Sequence, residues 1–336
     1  MQTEDLRGGA SPSSTSLLTG MLERYGIAGL FPLLGELTLT FPERSSIMVS
    51  MNKLSIEERA RIVGCLVEGN SIRATVRMTG SAKNTITKLL LDLGAACSEY
   101  QDGTLQHLNS RRLECDEIWT FVGAKAKRVP EAHQGEWGDF WTWVAIDSDT
   151  KLVPSWYIGA RTASDALEFM RDVASRLDSR VQLTTDGLNS YLIAVDRAFE
   201  GDIDYAMLVK IYGADSTQPE KRYSPAACIG SERHVVSGEP DLRLISTSYV
   251  ERQNLTMRMS MRRFTRLTNA FSKKVENLAA AVSLHFMFYN FARPHKTLSK
   301  PYPTTPAMAA DVADHVWSLA EIVGLLDSVS SAEESA

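Results

Sequence analysis

An early part of the chain carries apolar residues at helical spacing and predicts three helices in succession. Ser55 and Glu58 have the spacing of a capping box, in which each side chain accepts a hydrogen bond from the backbone N–H of the other. A helix is therefore expected to begin at this point. The expected bounds are 55–69 for the first helix, 71–78 for the second, 79–81 for a turn and 82–93 for the third helix.

Two short helices joined by a turn are typical of a helix-turn-helix, in which the helix after the turn enters the major groove of DNA. The alternative is a three-helix bundle with a purely structural role, since this motif alone is only moderately specific. On the first interpretation, the turn and the start of the third helix face the DNA. The residues predicted to contact DNA are Ser81, Lys83, Asn84, Thr85 and Lys88.

From about residue 111 the pattern changes to β-branched and aromatic runs that predict strands. The second and third strands flank Asp147-Ser148-Asp149-Thr150, a turn sequence that predicts a hairpin. The order β-β-β-α-β-α-β, followed by helices, predicts an α/β fold, and the segment 212–245 is expected to be a long loop or an insertion. Strands are expected over 113–122, 140–146, 153–158, 181–185 and 205–211, and helices over 164–177 and 189–199.

The length of 336 residues predicts two domains, or three if one is small. A hydrophobic content of 44% and a charged content of 23% exclude wholesale disorder and fibrous proteins. The four cysteines form no C-x-x-C pair, which argues against a disulfide framework and a zinc ribbon. No apolar run approaches the ~18 residues of a membrane span, so no membrane partner and a cytoplasmic location are expected. Residues 1–50 are expected to be a poorly ordered tail.

The formal net charge of −5 would disfavour a nucleic-acid partner, but the basic residues are clustered. The segment 251–300 contains ten basic residues against two acidic ones, and the segment 53–93 contains seven against four. Such clusters are the electrostatic signature of a polyanion partner, although solvated helix faces produce them too.

Three acidic residues are candidates for a shared site, and each has a simpler interpretation. Asp116 lies in an otherwise apolar strand, where a buried acid is costly unless a cation or hydrogen bonds compensate it. Its neighbour Glu117 points to the opposite face and replaces it if the strand register is reversed. Asp186 precedes Gly187 and could be only a turn residue. Glu251 could be only the end of a capping box that begins at residue 248.

The helix that contains Glu251 argues for more than a capping role. Arg258 and Arg262 lie seven and eleven residues further on, so a continuous helix places both within ~20° of Glu251 on the helical wheel. The apolar stripe can then pack on the sheet while the arginines bind phosphates along the same rim. That stripe consists of Val250, Met257, Met261 and Phe264.

If the three carboxylates converge, each pair at ~4 Å costs ~4 kcal/mol of repulsion at an effective dielectric constant of ~20. A cation must then lie between them. Oxygen ligands without His or Cys favour Mg²⁺ or Mn²⁺ over zinc. Two such ions ~3.5 to 4 Å apart activate the attacking oxygen and stabilise the leaving oxygen at a phosphodiester.

Four segments follow one another along the chain, and the first three contain these acids. They are DEIWTFVG at 116–123, TTDGLNSY at 184–191, TSYVERQNLT at 247–256 and YNFARPH at 289–295. As an ordered set they resemble the DDE transposases of the insertion-sequence-one family, in a longer subgroup. The likeness covers about residues 53–320. It implies an RNase H-like mixed sheet flanked by helices, preceded by a small all-α helix-turn-helix domain.

The resemblance also implies a site and its partners. The catalytic and metal-binding acids fall on Asp116, Asp186 and Glu251, with two Mg²⁺ or Mn²⁺ ions. The expected partners are double-stranded DNA, as terminal inverted repeats and target, and further copies of the chain that hold two ends together. The basic residues predicted to contact DNA here are Arg258, Arg262, Arg263, Arg266 and Arg293.

The implied domains are 51–97 for the helix-turn-helix, 111–320 for the catalytic domain with an insertion at 212–245, and 321–336 for a tail. Two alternatives stay open: a non-enzymatic DNA-binding regulator whose second domain dimerises, and an RNase H-like nuclease without strand transfer. Two ring-bearing residues also have competing roles. Trp119 packs in the core or stacks on a displaced base. His285 lies on the apolar face of a helix and is expected to be a hydrogen-bonded core histidine rather than a ligand.

Overall fold

The computed structural model describes residues 54–213, 228–265 and 268–334. The expected tail at 1–50 and the predicted DNA contact Arg266 lie outside these ranges. The helices are α1 (Ile56–Val67), α2 (Ile72–Thr79), α3 (Lys83–Thr104), α4 (Ala163–Ser175), α5 (Ser190–Phe199), α6 (Ser248–Ser260), α7 (Val275–Met287), α8 (Pro306–Ala309) and α9 (Leu319–Glu334). The strands are β1 (Arg112–Val122), β2 (Gly138–Asp147), β3 (Ser155–Gly159), β4 (Gln182–Thr185), β5 (Asp204–Tyr212) and β6 (Cys228–Ser237).

The capping box at the start of α1 is confirmed. Ser55 Oγ accepts from the Glu58 backbone N–H at 3.2 Å, and the Glu58 carboxylate accepts from the Ser55 N–H at 2.9 Å. The second helix and the turn also match the prediction, with Gly80 at φ 75° closing α2. This left-handed conformation is the one that favours glycine at the end of a helix.

Helix α3 continues eleven residues past its predicted end, to Thr104. Gly94, which resembles a stop signal in the sequence, lies inside the helix. A Cβ built there would lie 2.5 Å from the Ala280 Cα of α7. The glycine therefore serves the close approach of two helices and does not end the first one.

A six-stranded mixed sheet has the order β3-β2-β1-β4-β5-β6. β2 pairs antiparallel with both β1 and β3, and the predicted hairpin is confirmed. β4 runs parallel to β1 and β5. The sheet and its flanking helices confirm a mixed α/β fold.

The segment 212–245 is not simply a loop, because its residues 228–237 form the edge strand β6, antiparallel to β5. Nearly every residue of β6 is exposed. Without a buried face the strand has no apolar alternation, which is why the sequence pattern did not reveal it. Residues 214–227 lie outside the described ranges.

Helices cover both faces of the sheet. On one face the Trp143 ring packs 6.0 Å from Phe169 of α4 and 5.4 Å from Tyr191 of α5, centroid to centroid. On the other face Trp156 of β3 packs 5.1 Å from Phe286 of α7. Trp143 is fully buried between the sheet and these helices.

The early helices share one apolar core with the sheet. Buried residues of α1 and α3 belong to the same cluster as the strands and α7. The segment expected to be a tail from residue 321 is part of α9, whose Ile322 and Val323 are buried. Arg59 of α1 also bonds to Asp327 of α9 at 3.1 Å. None of the described helices is long and apolar enough to cross a membrane.

Candidate functional site

The strand register brings Asp116 and Asp186 to one edge of the sheet. Cys115 of β1 pairs with Thr185 of β4 in the parallel ladder. Asp116 follows Cys115 within β1, and Asp186 follows Thr185 just past the end of β4. Because the two strands run parallel and Cys115 is paired with Thr185, the two acids become neighbours although 70 residues separate them in the chain.

Asp116 is held by two hydrogen bonds. Its Oδ2 accepts from Asn254 Nδ2 of α6 at 2.9 Å, and its Oδ1 accepts from the Glu117 backbone N–H at 2.9 Å. Burial raises the pKa of Asp116 to about 7, and the negative charges of Glu117, Asp186 and Glu251 contribute to this shift. Asp116 therefore binds a proton near neutral pH unless a cation replaces it.

Glu117 joins the site together with Asp116 and does not merely replace it. One carboxylate oxygen from each of Asp116, Glu117 and Asp186 lies within 4.8 Å of the others. Asp186 lies just past the end of β4, where side chains from both faces of β1 can reach it. Burial raises the pKa of Glu117 to about 7, with Asp186 adding to the shift.

Arg161 compensates this pair of acids. Its Nη2 lies 2.5 Å from a Glu117 oxygen and 3.9 Å from an Asp186 oxygen. Tyr191 of α5 also donates to Glu117 at 3.4 Å. Burial raises the pKa of Asp186, while Arg161 and the Leu188 backbone N–H, at 3.0 Å, favour its charged form.

Glu251 enters the site from α6 and is not a helix cap. Thr247 Oγ1 donates to Glu251 Oε1 at 2.6 Å, and Lys210 of β5 forms an ion pair with the same carboxylate. The capping-box interpretation is wrong, because Thr247 is the N-cap and no side-chain cap bond is present. Lys210 thus occupies the carboxylate that the family resemblance assigns to a metal ion.

The orientation of α6 depends on Glu114, two residues before Asp116 on β1. The buried Glu114 carboxylate accepts from the backbone N–H groups of Tyr249 at 2.7 Å and Val250 at 3.0 Å. These are unpaired donors at the start of the helix, where a negative charge is favourable. The same strand face thus fixes the helix at two points, Glu114 and Asp116, and leaves Glu251 facing the cavity.

Asp116, Asp186 and Glu251 line one cavity of about 600 Å³. We call these three residues and Glu117 the acid cluster. Arg161, Lys210 and Thr247 complete the polar wall of this cavity. The acid cluster offers only oxygen ligands, the donor set that suits Mg²⁺ or Mn²⁺. These residues therefore fit a divalent cation, and Asp116, Glu117 and Asp186 have the closest oxygens to hold one.

The residues predicted to contact DNA at the turn lie on the surface. Lys83, Asn84, Thr85 and Lys88 are exposed and Ser81 is half-buried. Lys88 forms an ion pair with Asp92 of its own helix.

The prediction that Arg262 continues the rim of α6 is wrong. The helix ends at Ser260, and Met261 has extended backbone angles of −130° and 105°. Arg262 is exposed beyond this end, and Arg258 is half-buried within the helix. Arg263 donates to Ser272 Oγ at 2.8 Å and to the Asn277 carbonyl at 2.6 Å, so it braces a loop. Arg293 is exposed.

His285 is buried as predicted, but its ring is not fully hydrogen-bonded. Its Nε2 has no partner among the described residues. Burial lowers the pKa of His285 to about 3, so the ring is neutral. Trp119 is half-buried, with the Lys125 ammonium 5.3 Å from its ring.

Sequence reasoning missed four polar residues that organise the acid cluster: Glu114, Arg161, Lys210 and Asn254. Glu114 could have been found from the sequence, because it is two residues from Asp116 and therefore lies on the same face of the strand. Asn254 and Glu251 lie three residues apart on α6, which places them on neighbouring positions of one helix face. Arg161 and Lys210 carry no local signal, because their role depends on tertiary proximity.

A scan of family models and a search among curated proteins returned no match for this chain. The chemistry of the site is therefore interpreted from its own residues.

Proposed function

We propose that the chain is a transposase that cleaves DNA at the ends of an insertion element and joins them to target DNA, on an RNase H-like fold. One observation carries this proposal: acids from β1, the end of β4 and the start of α6 line a single cavity. An ordinary DNA-binding regulator has no use for buried acids with raised pKa values, because their convergence costs free energy.

The acid cluster has the composition of a phosphoryl-transfer centre. Asp116 and Asp186 would hold divalent cations, with Glu251 completing the site once it leaves Lys210 and with Glu117 adding a further oxygen. When bound, such cations activate an attacking oxygen and stabilise the leaving oxygen at a phosphodiester. Asn254 orients Asp116 through its hydrogen bond. Arg161 and Lys210 are placed to attract the scissile phosphate, because both of these positively charged side chains line the cavity.

Helices α2 and α3 are the proposed DNA-recognition unit. They are joined by a tight turn at Gly80, and the start of α3 presents exposed polar side chains. In a helix-turn-helix these residues contact base edges while neighbouring cations contact phosphates. Double-stranded DNA, as element ends and target, is therefore the proposed partner, bound by more than one copy of the chain.

The test is strand cleavage and joining on labelled duplexes that cover the DNA flanking the gene. With Mg²⁺, the unmodified chain is expected to nick the duplex and to yield joined products when target DNA is added. Asp186→Asn should retain duplex binding and lose cleavage. Asp196→Asn on α5, an exposed residue away from the cavity, is the matched control and should cleave normally.

The outcomes separate the alternatives. Cleavage without joined products would indicate a nuclease that lacks strand transfer. Binding of the flanking DNA with no metal-dependent cleavage would indicate a regulator. Cleavage that persists in Asp186→Asn would show that the acid cluster is not the catalytic centre.

A further inference from the structure

A second cleft, of about 760 Å³, lies between the early helices and the segment that follows α6. We call it the basic cleft. Its walls come from the end of α1, the first residues of α2 and α3, the chain around 260–263 and 268–273, and one face of α7. It is distinct from the cavity of the acid cluster, with which it shares no lining residue.

The charge of the basic cleft is entirely of one sign. Five of its lining residues are basic and none carries a carboxylate. Arg73, Lys83 and Lys273 are exposed, and they form no ion pair with any other residue that the structure describes. In a chain with a net charge of −5, unpaired cations converging on one concavity indicate an anionic ligand. The basic residues are Arg73, Lys83, Arg262, Arg263 and Lys273.

Two helix N-termini reinforce this positive potential. Helices α2 and α3 both begin at the cleft, at Ile72 and Lys83, and neither has an acidic residue in its first turn. The N-cap of α3 is Ala82, which provides no side-chain acceptor. Free N–H groups and the helix dipole at such a position favour a phosphate oxygen.

An independent observation comes from α7. His285 lines the cleft and is 4% exposed, yet its Nε2 lacks a hydrogen-bond partner among the described residues. A buried polar atom without a partner is costly, so such atoms normally contact a ligand or an ordered water. The His285 ring therefore adds an unsatisfied polar group to the wall of the cleft.

The basic cleft is also connected to the acid cluster through α6. Glu251 faces the acidic cavity and Ser260 lines the basic cleft. Ser260 is nine positions after Glu251 on the helix, which corresponds to about 14 Å at ~1.5 Å per residue. This is about four base pairs of B-DNA at ~3.4 Å each.

From these features we infer that the basic cleft binds one phosphate backbone of duplex DNA and holds it about four base pairs from the phosphodiester at the acid cluster. The identity of the polyanion as DNA rests on the proposed function, whereas the anion-binding character of the cleft rests on its own residues. Arg73 and Lys273 would contact phosphates directly, and the start of α3 would contribute its backbone N–H groups.

The test measures duplex binding by the full chain as a function of salt, in EDTA so that no cleavage occurs. The slope of log K against log salt becomes shallower by about 0.9 for each phosphate that the protein no longer neutralises. The double variant Arg73→Gln/Lys273→Gln is therefore expected to reduce the slope by about 1.8. Arg197→Gln on α5, exposed and away from the cleft, is the matched control and should leave the slope unchanged.

A slope that stays unchanged in the double variant would overturn the proposal. A small-anion site is the competing outcome, and a titration with pyrophosphate distinguishes it. Pyrophosphate binding that disappears in the double variant, together with an unchanged duplex slope, would show a small-anion pocket and refute DNA binding there. Binding is measured without cleavage, so a failure of the transposase proposal would appear in a separate experiment. In that case the duplex DNA would stay intact in Mg²⁺, while the salt slope measured in EDTA would still fall in the double variant.

Discussion

The affinity of the acid cluster for a divalent cation should rise steeply with pH. Burial raises the pKa of both Asp116 and Glu117 to about 7, so in the absence of metal these carboxyls bind protons at pH values where ordinary acids are ionised. A cation competes with those protons, because carboxylate ligands must be deprotonated. The affinity should therefore be lowest in mild acid and level off above neutral pH.

The magnitude follows from the pKa values. For one carboxyl with a pKa of about 7, proton competition weakens binding by about 11-fold at pH ~6 and about 1.1-fold at pH ~8. The affinity for the cation therefore rises about tenfold between pH ~6 and pH ~8, which corresponds to ~1.4 kcal/mol. If both Asp116 and Glu117 release a proton, the gain approaches about a hundredfold. The two groups are coupled, so the titration belongs to the pair.

The raised pKa of Asp116 also determines how the stability of the folded protein changes with pH. The folded protein holds a proton on Asp116 that the unfolded chain, with a pKa of 3.8, releases earlier. The free energy of unfolding without metal should therefore fall as pH rises from about 4 to about 7. Added Mn²⁺ should restore stability at the upper end of this window, because it binds the ionised carboxylates of the folded state.

The assay is calorimetric titration with Mn²⁺ at several pH values, in buffers of different ionisation enthalpy so that released protons are counted. Asp116→Asn should weaken binding and remove the roughly tenfold part of the pH dependence that Asp116 contributes, leaving the part that Glu117 contributes. Asp196→Asn removes one exposed charge elsewhere and should keep it. An affinity that is the same at pH ~6 and pH ~8, with no proton release, would refute the assignment of raised pKa values to the metal ligands.

Substitutions at three further residues test the structure around the site. Gly94→Ala should destabilise the whole chain by about 1–3 kcal/mol in urea unfolding, in one transition, because the added Cβ meets Ala280; a separate early transition would contradict a shared core. Glu114→Leu should cost about 2 kcal/mol, since it leaves two buried N–H groups unpaired, and Glu114→Gln should cost less. Arg161→Ala should move the pH midpoint of Mn²⁺ binding upward, because Arg161 lowers the pKa of Glu117; an unchanged midpoint would count against that ion pair.

The fold could be predicted wherever one face of an element is buried. β1 contains enough apolar and β-branched residues to be recognised, and its parallel partner β4 is followed directly by the acid Asp186. β6 could not be predicted, since both of its faces are exposed. The predicted end of α3 was wrong because a glycine in a helix–helix contact looks the same in sequence as a glycine that stops a helix.

The acidic residues of the candidate site could be predicted from the sequence, whereas its basic residues could not. Asp116 and Asp186 can be predicted because each lies in or directly after a strand. The parallel pairing of these two strands then brings the acids together. Arg161 lies after β3 and Lys210 lies on β5, and each reaches the acids only through the tertiary arrangement. An acid in an apolar strand is conspicuous, whereas a lysine in a half-exposed strand is not.

Charge balance at the acid cluster predicts how many ions bind before DNA arrives. When its four carboxylates are all ionised they carry −4, and Arg161 and Lys210 contribute +2, which leaves −2. One divalent cation neutralises this charge; a second would leave an excess of +2 in a partly buried cavity, which is costly unless anions compensate it. On the proposed function, the phosphates of a bound duplex would supply such anions. We therefore expect one Mn²⁺ per chain without DNA and two with an uncleavable duplex, measured by calorimetric stoichiometry. Two ions bound to the free protein would show that Lys210 leaves Glu251 without DNA and that this balance does not govern the site.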